Sequence, residues 1–143
     1  MYQFYVLAIV FNVIGGVTLA FDFLDDKIGI ARFLNEKGMT VPNYRAVVGL
    51  LTFAVGFVKL FTVTEGNWVF LGDFVPALAA LVTGATLMIE RFRDQIEEKL
   101  GGERGALVVN RLDKVFIGPR NIYGVVSIAA AIAHFFFHSV QLL

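Results

Sequence analysis

Five polar residues stand inside long apolar stretches of this sequence: Asn12, Lys59, Asp73, His134 and His138. An ionisable side chain in hydrocarbon costs about 3 kcal/mol on insertion scales, so each such group needs a partner or a task. Lys59 and Asp73 flank a connection of only a few residues, Thr64-Glu65-Gly66, which makes them natural ion-pair partners. A purely structural pair at the mouth of the protein is the plainer reading. His134 and His138 lie one helical turn apart. That spacing suits one metal ion, a haem, or a hydrogen-bonded pair. Two histidines do not complete a zinc site, which takes three or four ligands. A bis-histidine haem needs a second ligand on a facing helix, and the chain has no third histidine. The plain reading has both histidines satisfied inside the protein by Asn12, Asp73 or water. A proton relay or contact with a quinone is the functional alternative.

Other chemistry is missing. With no cysteine there are no disulfides, thiolate metal sites, iron–sulfur clusters or thiol nucleophiles. No phosphate-binding glycine loop, zinc-protease helix or nucleophile elbow occurs. No catalytic residue and no metal ligand set is assigned, and the chain does not read as an enzyme by itself. Formal net charge is zero, which suggests no nucleic-acid partner.

The elements that position these residues are four apolar stretches. The chain is 57% hydrophobic and 17% charged, against about 45–50% and 25% in soluble domains. Stretches at about 2–24, 44–63, 67–90 and 121–143 each approach the ~20 residues needed to cross a bilayer. The first has no basic residue before it, so it reads as a retained helix and not a cleaved signal.

Charge orients the spans. Lys27, Arg32, Lys37 and Arg45 gather at the first connection, and Arg91, Arg93, Lys99, Arg104, Arg111, Lys114 and Arg120 at the third. By the positive-inside rule, loops 25–43 and 91–120 are cytoplasmic and both termini outside, as in a bacterial inner (plasma) membrane. Lys59 is the exception and could snorkel outward. Tyr2, Tyr5 and Trp68 would mark the outer interface, Tyr44 and Tyr123 the inner one.

Both cytoplasmic segments read as ordered. Residues 25–37 mix Ile28, Phe33 and Leu34 with charges and stop at Gly38, with Pro42 following. The third helix meets no breaker from Ala77 to Leu100, so it continues past the span until Gly101-Gly102, with Arg93 and Glu97 as an i,i+4 pair. Residues 107–117 mix apolar and charged residues and end at Gly118-Pro119. These pieces suit short amphipathic helices on the headgroups, or packing against a partner.

The halves also resemble each other. Gly16-Val17-Thr18-Leu19 matches Gly84-Ala85-Thr86-Leu87, with Asp22 above Glu90 and Asp26 above Asp94; Asn43, Val47, Val48 and Phe57 match Asn121, Val125, Val126 and Phe135. Two hairpins related by an axis along the membrane normal would produce this pattern, although apolar helices also share a small alphabet. Each span carries a small-residue face: Asn12-Gly15-Gly16-Ala20; Gly49-Thr52-Gly56, leading to Lys59; Asp73-Ala77-Ala80-Gly84; and Gly124-Ser127-Ala131-His134-His138. Such faces allow the close backbone approach that holds helices together in lipid. At ~1.5 Å of rise per residue, Lys59, Asp73 and His138 fall roughly 7–9 Å from the outer helix ends, with Asn12 and His134 deeper. The five form one inward-facing polar layer.

Residues 30–60 resemble DoxX-like membrane proteins through Phe33-Leu34, Gly38, Pro42, Ala46, Gly49 and Gly56. That resemblance implies a small four-helix membrane chain, in some cases associated with quinone-linked redox complexes. It transfers no site residue, because the acidic residue often seen in that second helix is absent.

The expectation is therefore an all-α membrane protein, a single domain over 1–143 forming a four-transmembrane-helix bundle of two repeated hairpins, with short amphipathic helices in its cytoplasmic loops. Function divides two ways. One is a non-catalytic subunit or oligomer-forming component, partnered by the lipid bilayer and by copies of itself or larger membrane subunits. The other is a carrier or redox component moving protons, an ion or a quinone through the polar layer. No cofactor is assigned; a haem or quinone would need groups beyond one subunit.

Overall fold

The computed structural model describes residues 2–61 and 74–136, and all regular structure in them is helical. Helices α1 (Tyr2–Leu19) and α2 (Phe21–Ile28) are followed by a 3₁₀ turn at Ile30–Arg32 and the single turn α3 (Glu36–Met39). Then come α4 (Pro42–Phe61), α5 (Phe74–Leu100), α6 (Gly102–Leu112), a π-helical turn at Asp113–Ile117, and α7 (Arg120–Phe136). Helices α4 and α5 are each long and apolar enough to cross a membrane; with the bent pairs α1–α2 and α6–α7 counted as single spans, there are up to four.

Local chemistry explains most boundaries. Pro42 opens α4 at the first helical position, where a missing N–H removes no bond. Gly29, at φ 66°, takes the left-handed conformation that ends α2, and its N–H bonds the Asp25 carbonyl. Helix α5 runs unbroken to Leu100, as the lack of breakers implied, and Gly101 and Gly102 turn the chain at positive φ.

One boundary departs from the sequence expectation. The first helix does not continue to residue 24; it breaks at Ala20, and α2 leaves at 80° to α1. No glycine or proline lies between Val17 and Leu24 to mark the turn. Arg45 sits at the break, its Nη1 donating to the Thr18 carbonyl at 2.6 Å, where a helix end leaves acceptors unfilled.

Helices α1 and α5 form the centre of the molecule, each packing against the other and against both α4 and α7. Small residues set the spacing. A Cβ on Gly49 would lie 2.7 Å from the Leu87 Cβ, and one on Gly84 2.6 Å from the Gly49 carbonyl oxygen. Side chains buried in this centre include Leu19, Val48 and Leu87, with Ile14, Tyr44 and Tyr123 against them. Buried polar groups are as prominent: Asn12, Thr18, Thr52, Lys59, Thr83, Thr86, Ser127 and His134.

Helix α6 folds back on the extension of α5. Gly105 and Val109 are buried, and Gly105 rests on the Glu97 backbone, where a Cβ would lie 2.6 Å from the carbonyl oxygen. Gly105 and Val109 therefore face α5, while Leu107, 60% exposed, and Val108 remain on the outer side of α6. Arg93 reaches Asp113 at 2.9 Å, with Asp94 at 3.6 Å, in place of the expected i,i+4 contact with Glu97.

Candidate functional site

Two polar levels occupy one half of the interior. At the first, the end of α1, α4 and α7 that carries Tyr5, Lys59 and His134, the tyrosine is the hub. Its hydroxyl donates to the His134 carbonyl at 2.6 Å, and the two rings stack at a tilt with centroids 4.5 Å apart. Lys59 places its ammonium 5.8 Å from the centre of the same ring, within range for cation–π attraction. Lys59 is 2% exposed and His134 1%. Tyr5 is half-buried, with its ring turned toward Lys59 and His134.

The second level lies two helical turns deeper, about 10 Å along α1. Asn12 is fully buried. Its amide donates to the carbonyls of Ala8 at 2.9 Å and Pro76 at 3.0 Å. Its own oxygen accepts from the Ser127 hydroxyl at 2.7 Å, and that hydroxyl also lies 3.1 Å from the Asn12 carbonyl. One carboxamide thereby ties α1 to α5 and α7. None of these partners is His134, so of the candidates the sequence offered for that histidine (Asn12, Asp73 or water) Asn12 is not one it bonds. Asp73 and His138 lie outside the described residues, and the Lys59–Asp73 pair and the His134–His138 pair with them.

Beyond Asn12 the polar line continues through hydroxyls. Gly15 faces Thr52 and Thr83, so that a Cβ there would lie 2.8 Å from the Thr52 Oγ1 and 3.2 Å from the Thr83 Cγ2. Thr86 bonds back to the Val82 carbonyl at 2.7 Å, as threonines in apolar helices do.

The opposite end holds a charge cluster that sequence reasoning missed. Arg45 donates to Glu90 Oε2 from Nη2 at 2.6 Å and from Nε at 3.2 Å. The other Glu90 oxygen accepts from Arg120 at 3.0 Å, and Arg120 also reaches Asp22 at 3.1 Å. Arg45 and Glu90 are only 16% and 14% exposed in their side chains. Helices α2, α4, α5 and α7 are joined through this set, and α1 through Thr18. The pairing of Asp22 with Glu90 across the sequence repeat was its one visible trace; the arginines read as loop charges.

Among the described residues no group of three or more His, Asp or Glu is placed to hold a metal ion. The arrangement offers buried proton donors and acceptors at one end and a compensated ionic lock at the other. A protein-family model matches residues 1–134. The chain belongs to that family. No curated protein and no solved structure matches it, and the DoxX-like resemblance of residues 30–60 gains no support from these comparisons. Family membership brings no activity, substrate or partner with it.

Proposed function

We propose that the chain is an integral membrane protein, with α1, α4, α5 and α7 as four spans, acting as a non-catalytic, assembly-forming component of a membrane complex. The observation that carries the membrane reading is the inversion of α4. Val47, Leu50, Leu51, Phe57 and Phe61 are exposed, while Thr52 and Lys59 are buried. A helix in water places its apolar stripe inward; this pattern suits lipid outside and polar contacts within. The charge bias supports a plasma-membrane (bacterial inner-membrane) orientation with loops 25–43 and 91–120 inside and both termini outside. Exchanging α1 with α5 and α4 with α7 leaves the helix packing pattern unchanged, which favours two repeated hairpins.

The assembly role rests on what is filled and what is exposed. Glycine contacts set backbone against backbone at Gly16–Gly124 and at Gly49–Gly84, which argues against a wide substrate path between those helices. Outside the spans, Phe33 is 84% exposed and Ile28 67%, on a segment held sideways by the bend at Ala20. Large apolar side chains displayed there suit a second copy or a larger membrane subunit. Native mass spectrometry after gentle extraction tests this. Multiples of 15.8 kDa or foreign subunits in fixed ratio support the reading; a lone monomer under conditions that keep known complexes whole would refute it.

A second reading is favoured by the convergence of Lys59, His134 and Tyr5. Of the cargo classes open to a carrier, a proton needs the least room, and it fits glycine-tight packing better than a quinone or a hydrated ion. Asp73→Asn and His134→Ala would then abolish a pH-dependent flux while the assembly stays intact.

A further inference from the structure

Between α4 and α5, at the end that carries the charge cluster, lies a cavity of about 170 Å³ lined by Pro42, Arg45, Leu87, Glu90 and Arg91. Pro42 and Leu87 give it apolar walls, and two guanidinium groups give it a cationic rim. Glu90 does not make the site acidic, because its carboxylate is matched by Arg45 and Arg120. Asp22 in turn takes the second side of Arg120. Three arginines, Arg45, Arg91 and Arg120, therefore stand against two carboxylates, and one positive charge is left over.

The donors have capacity. A guanidinium carries five N–H groups. Arg45 uses its Nε, Nη1 and Nη2 in three bonds, to Glu90 twice and Thr18 once, which leaves two N–H groups. Arg91 makes no hydrogen bond or ion pair among the described residues; its nearest aromatic contact is the neighbouring Phe92 ring, 5.7 Å away. Further along α4 the exposed Val47, Leu50 and Leu51 present an apolar surface on the way into the span.

We propose that this cavity binds the phosphate of an anionic phospholipid headgroup, with Arg91 and the remaining Arg45 N–H groups as donors. The acyl chains lie along the outer face of α4. The inference rests on the membrane reading above. It goes beyond it by assigning a ligand class and a residue, Arg91, that the ionic lock does not need. Basic pockets between spans on the cytoplasmic side recognise anionic headgroups in this way, and the planar guanidinium matches phosphate geometry.

The test uses the full chain purified in mild detergent. Native mass spectra are recorded with phosphatidylglycerol, phosphatidylcholine or inorganic phosphate, for the wild type and for Arg91→Gln. The expected result is retained phosphatidylglycerol, little phosphatidylcholine, and about a tenfold weaker phosphatidylglycerol affinity in Arg91→Gln. The lipid-free melting temperature of the variant should match the wild type, since the lock is intact. Equal retention of both lipids, an unchanged affinity in Arg91→Gln, or saturation by inorganic phosphate alone would each overturn the proposal. Phase partition in a clouding detergent separates the failures. A chain that partitions into water overturns the membrane reading and this site together; one that enters the detergent phase and ignores Arg91→Gln overturns the site alone.

Discussion

Gly16 and Gly124 face each other so closely that a Cβ on either would lie 2.6–2.7 Å from the other's carbonyl oxygen. The contact is backbone on backbone, so no rotamer change can relieve an added methyl. Gly16→Ala and Gly124→Ala should each destabilise the protein by about 1–3 kcal/mol or force α1 and α7 apart. Gly38→Ala is the control: the nearest atom to its Cβ position is 3.9 Å away. Thermal unfolding in detergent should show a fall for the first two and almost none for the third.

The ionic lock makes a sharper forecast. Glu90→Gln leaves Arg45 and Arg120 facing each other without their shared counter-charge, at a site where Arg45 is mostly buried. Breaking a buried ion pair from one side costs about 3–5 kcal/mol, and partial exposure of Arg120 lowers the figure. Asp22→Asn should cost far less, because Asp22 is 69% exposed and surface pairs contribute about 0–1 kcal/mol. Equal losses in the two variants would mean that the lock is not the anchor its geometry suggests.

How much of this was legible in the sequence depended on what each residue touches. Gly16, Gly49, Gly84 and Asn12 were readable because helical spacing alone gathers small and polar residues on one face. The run of α5 to Leu100 was readable because only Gly101-Gly102 breaks it. The bend at Ala20 was not, since its neighbours are ordinary helix formers and the group that meets the open Thr18 carbonyl is Arg45, 27 positions on. The charge cluster was hidden for the same reason: Asp22 and Arg120 are 98 residues apart. The mix of apolar and charged residues at 107–117 was visible, but not that Gly105 and Val109 would be the ones set against α5 while Leu107 stays exposed.

Asn12 and Ser127 supply a test of the interior. Ser127→Ala removes the hydroxyl that bonds the Asn12 carboxamide oxygen at 2.7 Å, in a fully buried place. The expected cost is about 0.5–2 kcal/mol, near the average for hydrogen bonds between helices in lipid. Asn12→Leu should cost more, because it also removes the donor to Ala8 and Pro76 and adds branched bulk. A double variant less destabilised than the sum would establish the coupling directly.

Orientation is open to a direct measurement, and the absence of cysteine makes it clean. Position 65 belongs to the stretch between Phe61 and Phe74, which has no basic residue, and position 103 to the start of α6 among basic residues, so Glu65→Cys and Glu103→Cys report on the two sides. An impermeant maleimide added to intact cells should label position 65 and leave position 103 untouched until the membrane is opened. The reverse pattern would invert the topology and move the proposed headgroup cavity to the outer face.

Phe33 decides most directly between the two functional readings. Its side chain is 84% exposed, so within one chain it has little packing to lose, and a surface substitution of this kind normally changes stability by less than about 0.5 kcal/mol. If the segment after the Ala20 bend is an assembly contact, Phe33→Ser should leave the melting temperature of the isolated protein unchanged yet dissociate its native complex. If the protein works as a proton carrier, the same variant should retain both assembly and flux, and the loss should appear instead in His134→Ala. Native mass spectrometry and a pH-gradient assay in vesicles, run on the two variants side by side, separate these outcomes. A loss of assembly confined to Phe33→Ser places the function at the contact, and a loss of flux confined to His134→Ala places it in the interior.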